Sequence, residues 1–326
     1  MGRYLVTGGA GFIGSHIATA LAERGDTVRV LDDLSGGLRE NLSHLDLGPE
    51  GSGAQVELIV GSITDPAFGR RACRGAEGIF HEAAQVSVPQ SVEEPEKSYE
   101  INVTGTLRML QAARAEGVRR FVFAASAAAY GDSEVCPKIE AMPSRPMSPY
   151  ASGKLAGEDM LAVWGRTYGM HTVALRYFNI FGPRQADDSP YSGVIAVFAN
   201  RLLTGKPVRI NGDGGQTRDF CYVENVVRAN IAAMDAEGIE PGSVFNVGTG
   251  ERVSLLDLYK EMARFVGVDA QPEFGEVRAG DVRHSQASIE KIQGALGYVP
   301  TVGWREGVAQ TMEWYRQRLA ASAGRS

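Results

Sequence analysis

Short runs of apolar residues alternate with segments of helical periodicity along the first half of the chain. The apolar runs predict buried strands at residues 3–7, 27–31, 56–60, 78–81, 120–126 and 171–178. Helical patterns follow the first of these strands, cover residues 99–116 and start again at Pro149. Because strands and helices alternate, we predict an α/β fold built on a parallel sheet.

The pattern changes after Pro183, where Pro, Asp and Ser become frequent up to Pro190. We therefore predict one domain over residues 1–178 and a second over residues 179–326, with a segment of about 219–249 returning to the first. Further helices are expected at residues 195–203, 255–266 and 304–319, and short strands at 208–211 and 244–247. Residues 36–53 are expected to form only a connecting loop.

A glycine-rich loop joins the first predicted strand to the first helix, with glycines at positions 8, 9, 11 and 14. Glycines at this spacing let backbone amides and a helix N-terminus approach a pyrophosphate. The second strand ends at Asp32 and Asp33, where a carboxylate can accept hydrogen bonds from a ribose diol and repels a 2′-phosphate. The sequence thus favours NAD over NADP, and the alternative is that Asp32 only caps a loop.

Two other segments carry candidate chemistry. Ser148 and Pro149 predict a helix start, which places Tyr150 and Lys154 four residues apart on one helical face. A neighbouring ammonium and the positive helix N-terminus both favour the phenolate form of a tyrosine. Tyr150 is therefore a candidate general base, and Ser126 ends a strand at the edge where ligands of parallel sheets bind.

Charge and composition narrow the class of protein. The net charge of −6 and the isoelectric point near 5.5 argue against a nucleic-acid partner. We expect a cytoplasmic protein that does not bind a membrane, since no long apolar stretch or signal pattern is present. The loop arginines Arg218 and Arg278 suggest a substrate that carries phosphates.

Three cysteines, a histidine and an asparagine have alternative interpretations. Cys73, Cys136 and Cys221 lack metal-ligand spacing and are expected to be reduced packing residues. His81 is expected to pack at a strand end rather than to catalyse. Asn102 is either a polar contact to a strand end or a solvated residue, and the sequence favours neither.

Taken together, these motifs resemble the extended short-chain dehydrogenase/reductase family, and within it the nucleotide-sugar 4-epimerases. The resemblance runs along nearly the whole chain and rests on the Gly8 loop, Asp32, Asn102, Ser126, Tyr150, Lys154, residues 176–179, Gly212-Asp213-Gly214, Arg218-Asp219, Asn246-Val247-Gly248 and residues 278–281. It implies a doubly wound parallel (Rossmann) sheet that binds NAD, with a smaller C-terminal lobe that binds a nucleotide sugar.

The resemblance also implies roles for individual residues. Tyr150 would take the proton of the sugar 4-hydroxyl, Lys154 would lower the phenol pKa, and Ser126 would bond the reacting oxygen. The implied NAD contacts are Gly8, Gly11, Phe12, Ile13, Gly14, Asp32, Asp33, Ser62, Ile63, Ala83, Ala84, Gln85, Asn102, Tyr150, Lys154 and Tyr177. The implied UDP-sugar contacts are Ser87, Ser126, Asn179, Val194, Arg209, Asn211, Arg218, Arg278, Asp281 and Ser285. No metal ligands are expected.

Particular positions select among the family's reactions. Dehydratases carry an Asp-Glu pair after the residue matching Ser126, and decarboxylases a Glu, but this chain has Ala127 and Ala128. Uronate-specific epimerases tend to carry Thr at the position of Asn179. A bulky Tyr at the position of Ser285 restricts relatives to unacetylated sugars. The resemblance therefore implies 4-epimerisation of UDP-hexoses, UDP-N-acetylglucosamine and UDP-glucose among them.

Other functions stay open at the sequence level. Within enzymes, the alternatives are a UDP-glucuronate 4-epimerase or another NAD-dependent nucleotide-sugar enzyme, such as a reductase with exchangeable cofactor. A catalytically silent NAD-binding regulator is the alternative from another class. The resemblance implies a homodimer formed through helices near residues 102–116 and 149–168. Two departures from the family are Ser62, where an adenine-binding Asp is usual, and Ala128, where some epimerases have a hydroxyl residue.

Overall fold

The computed structural model describes residues 1–186, 193–269, 271–277 and 282–323. Its strands, in chain order from β1 to β14, are Arg3–Thr7, Thr27–Asp32, Leu47–Pro49, Val56–Val60, Gly78–His81, Arg120–Ser126, His171–Tyr177, Asn179–Phe181, Arg209–Asn211, Thr217–Arg218, Phe220–Tyr222, Ser243–Val247, Val253–Ser254 and Glu273–Gly275. Its α-helices, from α1 to α11, are Phe12–Glu23, Pro66–Cys73, Val88–Glu93, Pro95–Tyr99, Thr106–Ala115, Pro149–Tyr168, Val194–Leu203, Val223–Asp235, Leu255–Val266, Glu290–Leu296 and Trp304–Ala323.

Eight strands form one parallel sheet in the order β3-β4-β2-β1-β5-β6-β7-β12. The strand order reverses direction between β1 and β5, and open α/β sheets bind ligands at the carboxyl ends of strands beside such a switch point. The predicted doubly wound α/β fold is confirmed. Strand β12, from the segment that we expected to return, pairs with β7 at one edge.

Apolar side chains cover both faces of this sheet. Helices α1 and α8 pack on one face, for instance through Ile17 and Val226. Helices α2, α5 and α6 pack on the other, through residues such as Met109 and Leu161. Because both faces are covered, most residues of β1 and β2 are buried, on either side of the sheet.

A second apolar core lies outside the sheet. Helices α7, α9 and α11 build it, and Phe198, Leu258 and Met312 are among its buried side chains. Only short strand pairs accompany these helices, namely β8 with β11, β9 with β14 and β10 with β13. No helix among the described residues is both long and apolar enough to cross a membrane.

The connecting segment at residues 36–53 differs from the sequence expectation. It contains a short 3₁₀ turn, Arg39–Leu42, and the edge strand β3. Strand β3 has three residues, Leu47, Gly48 and Pro49, and pairs with β4. A strand this short shows no periodicity in sequence, so only its pairing partner reveals it.

Cys73 and Cys221 are buried and Cys136 is partly buried, and none of the three is bonded to another.

Candidate active site

The glycine loop after β1 is a cradle that only glycines can line. Gly8 has φ +66°, and a Cβ atom there would lie 2.7 Å from the backbone nitrogen of Ala83. A Cβ on Gly11 would lie 3.0 Å from the carbonyl oxygen of Gly8, and one on Gly14 would collide with that same oxygen. The close contacts of Gly8 and Gly14 are therefore with backbone, which cannot move aside as a side chain would.

The N-terminus of α1 follows this glycine cradle directly in the chain. Gly11 is the N-cap of α1 and has no side chain with which to cap it, so the first amides, including those of Phe12 and Ile13, stay available to an anion. Asp32, at the end of β2, accepts hydrogen bonds from the amides of Ala10 (2.9 Å) and Leu34 (2.8 Å). Burial raises the pKa of Asp32 despite these two bonds.

The carboxylate of the next residue, Asp33, makes different contacts from that of Asp32. Asp33 is exposed and accepts hydrogen bonds from the amide (3.0 Å) and hydroxyl of Ser35. Ser62, at the predicted adenine end, bonds the hydroxyl of Thr64 at 2.9 Å, and Ile63 is buried. A glycine cradle, an uncapped helix start and a carboxylate ending β2 together fit a dinucleotide with a free ribose diol.

A side-chain amide fixes the loop that follows β5. Asn102 accepts a bond from the amide of Gln85 (2.9 Å) and donates one to its carbonyl (3.0 Å). It lies in a π-helical turn, Glu100–Gly105, and is 2 % exposed. Of the two interpretations left open by sequence, the structure shows the contact to the strand end. This reciprocal pair holds the loop of Ala83 and Ala84 in front of the glycine cradle.

His81 is a packing residue in the structure, as the sequence led us to expect. Its ring nitrogens bond the hydroxyls of Thr7 (2.8 Å) and Thr106 (3.1 Å), and the side chain is fully buried. Burial lowers the pKa of His81 to about 3, and the nearby Lys154 ammonium adds to this shift. A neutral, doubly bonded imidazole beneath the cleft is not placed to exchange protons with a ligand.

The three candidate catalytic side chains meet at the end of β6. Ser148 caps α6 by accepting a hydrogen bond from the amide of Ala151 at 3.2 Å, which orients the first turn that carries Tyr150. Ser126, at the last position of β6, lies near the Tyr150 hydroxyl and acts to lower its pKa. Lys154, 3 % exposed, donates to the carbonyl oxygen of Ala124 at 2.8 Å.

The electrostatics of this group differ from the sequence expectation. In the chain by itself burial raises the pKa of Tyr150; the bond with Ser126 opposes the shift and the carboxylate of Glu82 adds to it. Burial lowers the pKa of Lys154 to about 8, and Glu82 opposes that shift. Lys154 is not among the causes of this shift in the chain alone, since its ammonium binds the Ala124 carbonyl and lies 6.0 Å from the Tyr150 ring centroid; a lowering of the phenol pKa by Lys154 stays a prediction.

Glu82 is the site residue that sequence reasoning missed. It follows β5 directly, and its Oε1 accepts a hydrogen bond from the Tyr177 hydroxyl at 2.9 Å. Burial raises the pKa of Glu82 to about 7, although that bond and Lys154 act in the opposite direction. The signal was present in the sequence, because an acidic residue directly after a buried strand lies at the ligand-binding edge of a parallel sheet.

Several predicted substrate contacts gather beside the end of β7. Asn179 begins β8 and pairs with Phe220 of β11, directly after Arg218 and the buried Asp219. Arg218 donates to the carbonyl oxygen of Thr217 at 2.8 Å, and the amide of Ser285 donates to the same oxygen at 3.1 Å. Thus Asn179, Arg218 and Ser285 belong to one connected set of backbone contacts.

The remaining predicted contacts lie on separate elements. Ser87 caps α3, and the next serine of that helix, Ser91, accepts a hydrogen bond from the amide of Tyr150 at 3.2 Å. Val194 begins α7, and Arg209 and Asn211 are the exposed first and last residues of β9. Arg278 and Asp281 lie outside the described residues.

Comparison with known proteins identifies the family. The model of the NAD dependent epimerase/dehydratase family matches residues 4–248. The chain belongs to this family. A UDP-glucose 4-epimerase of Mycolicibacterium smegmatis is 39 % identical over 97 % of this chain and 99 % of its own length. The protein is accordingly an NAD-dependent enzyme of the isomerase class.

Solved structures of epimerases share the fold along the whole chain. The UDP-glucose 4-epimerase of Thermotoga maritima, crystallised with UDP-glucose, is 38 % identical with a TM-score of 0.90 and covers 97 % of this chain and 99 % of its own. A UDP-N-acetylglucosamine 4-epimerase of Methanobrevibacter ruminantium, in complex with UDP-N-acetylmuramic acid, is 33 % identical with the same TM-score and the same coverage of both chains. These two relatives act on different sugars, so overall similarity leaves the substrate of this family member open.

Proposed function

We propose that this enzyme is a 4-epimerase of UDP-hexoses, converting UDP-N-acetylglucosamine and also UDP-glucose through a transient 4-keto sugar. The observation that carries the proposal is the meeting of Ser126, Tyr150 and Lys154 at the end of β6, with two alanines as the next residues of the chain. Tyr150 offers the proton-exchanging hydroxyl, and neither of the two residues that follow Ser126 carries an acid or a base.

The proton steps follow from the contacts of these three residues. Tyr150 accepts the proton of the sugar 4-hydroxyl and later returns it, and Ser126 shares a hydrogen bond with the same phenol. The glycine loop and Asp32 would hold NAD, which would supply the hydride chemistry needed at C4. Lys154 contributes a buried positive charge that favours the phenolate.

The residues after Ser126 argue against elimination or decarboxylation. Ala127 and Ala128 form a 3₁₀ turn, and Ser126 Oγ accepts the Ala128 amide at 3.1 Å. Methyl side chains carry no titratable proton, so neither Ala127 nor Ala128 could remove water or assist loss of CO₂. These residues support oxidation at C4 followed by return of hydride to the same carbon.

Residues of the second lobe support a nucleotide-sugar substrate whose sugar carries no carboxylate. Arg218, together with Asn179 and Asn211, would hold the UDP, and Arg209, Val194 and Ser87 are further proposed contacts. Ser285 is partly buried beside Thr217, and its small side chain leaves room for an acetamido group. Asn179 in place of a threonine supports a hexose or hexosamine over a uronate.

The assembly and domain division are part of this proposal. Residues 1–178, with β12 and α8, would form the NAD-binding domain, and the rest of 179–326 the UDP-sugar-binding domain. Exposed apolar side chains on α4 and α6, including Tyr99, Val163 and Tyr168, support a homodimer through this face. We also propose that the enzyme works in the cytoplasm.

Product analysis tests the substrate directly. Purified protein is incubated with UDP-N-acetylglucosamine, UDP-glucose or UDP-glucuronate without added NAD, and the sugars are separated by anion-exchange chromatography. We expect galacto epimers from the first two and none from the third. Turnover of UDP-glucuronate alone would contradict the use of Asn179 and Ser285. In a parallel assay supplied with reduced nicotinamide cofactor, a steady loss of its absorbance would identify a reductase. Absence of any product, with Tyr150→Phe indistinguishable from the parent, would favour a silent regulator.

A further inference from the structure

Glu82 lies at the edge of the sheet where the catalytic side chains meet. It follows the last paired residue of β5, His81, which is in register with Phe123 of β6. The next residue of β6, Ala124, is the one whose carbonyl accepts the Lys154 ammonium. Tyr177 of β7 is in register with Ser126. Since neighbouring strands lie about 4.8 Å apart, these registers bring Glu82 and Tyr177 to the same edge as Tyr150 and Lys154.

A chain of hydrogen bonds with a fixed direction holds the Glu82 carboxylate. The amide nitrogen of Asn230, on α8, donates to the carbonyl oxygen of Val226 at 2.9 Å, which fixes the orientation of the amide. The same nitrogen donates to the Tyr177 hydroxyl at 2.7 Å. Tyr177 therefore directs its own proton to Glu82 Oε1 at 2.9 Å. The carboxyl group must present an acceptor there, which favours its ionised form.

The charged and titratable groups around Glu82 leave it one clear partner. Helix α6 contributes Lys154 and Tyr150, β5 contributes His81, and β7 contributes Tyr177. His81 is held neutral by burial, and Tyr177 is a hydrogen-bond donor whose pKa is raised. Within the described residues, Lys154 is thus the cation that faces the Glu82 carboxylate.

We propose that Glu82 is a positioning residue of the catalytic group: its carboxylate is the counter-charge of buried Lys154 and sets the pH range in which Tyr150 exchanges its proton. This inference rests on the proposed function and deepens it. Glu82 acts through Lys154 and Tyr150 and makes no bond to the reacting atoms. The Asn230–Tyr177 pair aims the carboxylate, so that the charge is held at a constant distance from both groups.

The proposal fixes the direction of the effect. A carboxylate beside a phenol disfavours phenolate, and the same carboxylate favours the lysine ammonium. In Glu82→Gln the amide keeps an oxygen acceptor for Tyr177 but loses the charge. The pKa of Tyr150 and that of Lys154 should then both fall. We expect both limbs of the profile of kcat/KM against pH to move to lower pH. The expected shift is about one pH unit for the loss of one nearby charge.

Two further variants separate charge from packing. Glu290→Gln, at the exposed start of α10, changes the net charge by the same amount and should leave both limbs in place. Tyr177→Phe keeps the carboxylate but removes the hydroxyl that stabilises it, so both limbs should move in the same direction by less than in Glu82→Gln. It also keeps the test decisive if Glu82→Gln does not fold.

A spectroscopic titration gives a readout that needs no turnover. The tyrosinate absorption of the parent minus that of Tyr150→Phe reports the pKa of Tyr150 alone, and the same pair of proteins is then compared with Glu82→Gln added to both. We expect the Tyr150 titration to move to lower pH by about one unit. An unmoved Tyr150 titration, or lower activity with both limbs unmoved, would overturn the proposal. Failure of the parent to epimerise any UDP-sugar would instead reject the proposed function, since this titration requires no substrate.

Discussion

The proposed NAD-binding domain, called the cofactor half, and the proposed UDP-sugar-binding domain, called the nucleotide lobe, present their functional groups in different ways. In the cofactor half the cradle is backbone, and the catalytic side chains project from the ends of long parallel strands and from α6. In the nucleotide lobe the candidate contacts sit on strands of two or three residues, such as β9 and β10, and are exposed or partly exposed. One half is positioned by its local sequence, and the other by contacts between distant segments.

Asp219 illustrates the second kind of positioning. Its buried carboxylate accepts hydrogen bonds from the amide and hydroxyl of Thr249 (2.8 and 2.7 Å) and from the amides of Gly250 (3.0 Å) and Ala287 (3.1 Å). Three separate segments are thereby joined next to Arg218. The comparison teaches that the chemistry of this enzyme is specified by short motifs, whereas the shape of its substrate pocket depends on a few joints between loops.

The largest effect should come from the catalytic helix. Tyr150→Phe removes the proton-exchanging hydroxyl while keeping the ring, and we expect kcat to fall by about 10³-fold because one general acid–base group is lost. Tyr168→Phe, at the other end of α6, serves as the matched control and should keep full activity. Initial rates by chromatography, with thermal unfolding of each variant, provide the measurement. Tyr150→Phe with near-parental turnover would contradict the assignment of the base.

The joint in the nucleotide lobe should show the next effect. Asp219→Ala leaves three backbone amides without their acceptor, and we expect the free energy of unfolding to fall by about 3 kcal/mol. Asp219→Asn should cost nearly as much, because its amide group presents donors to donors. Asp213→Asn is the control in the same lobe, since Asp213 and Arg283 form an exposed ion pair whose loss should change stability much less. Equal urea midpoints for Asp219→Asn and Asp213→Asn would argue against the joint.

Ser285 tests whether pocket shape in this lobe selects the sugar. Ser285→Tyr should lower kcat/KM for UDP-N-acetylglucosamine by about 100-fold, equivalent to about 3 kcal/mol of lost complementarity in the transition state, and change that for UDP-glucose only slightly. Ser285→Ala keeps the space and should retain both activities. Kinetics with the two sugars side by side provide the measurement, and parallel losses on both would show that Ser285 does not face the C2 substituent.

Acid should destabilise the cofactor half by a smaller amount. Burial lowers the pKa of His16 to about 4 from its ordinary value of 6.5, and Arg184 adds to the shift. The folded state therefore binds fewer protons than the unfolded chain below the ordinary pKa, so stability falls as the pH drops through about 6.5. At about pH 5.5 the loss is about 1 kcal/mol for such a group.

His16→Gln isolates this contribution. The glutamine amide can still donate to the Pro183 carbonyl oxygen, which the His16 ring contacts at 2.9 Å. Urea unfolding of parent and variant near pH 7.5 and pH 5.5 should show a smaller acid loss in the variant, with that of His81 remaining in both. Identical acid losses in the two proteins would remove His16 from the account.

How much the sequence predicts depends on whether neighbours in sequence or distant partners determine a feature. The bounds of α6 follow from Ser148 as N-cap and from Gly169 in the left-handed conformation after its end, both of which are local signals. The glycine cradle is likewise written in consecutive residues. These features could be predicted because neighbours in sequence determine them.

Other features depend on partners that are distant in sequence. The fixed direction of the Glu82 bond requires Tyr177 and Asn230, from two other elements, and the Asp219 joint requires residues 30 and 68 positions away. The raised pKa of Tyr150 also escaped prediction, because helical spacing placed Lys154 nearby but did not show how deeply the phenol is buried or that Glu82 lies close to it. Burial and nonlocal hydrogen bonds, which no motif records, decide these properties.

The central claim is that the enzyme oxidises and rereduces one carbon of its sugar within a single site. Its most direct test is UDP-N-acetylglucosamine carrying deuterium at C4, incubated with the protein in ordinary water without added NAD and followed by NMR and mass spectrometry. The account predicts the 4-epimer with deuterium retained at C4 and none lost to solvent. Epimer that has lost the label, or a product changed at another carbon, would contradict it.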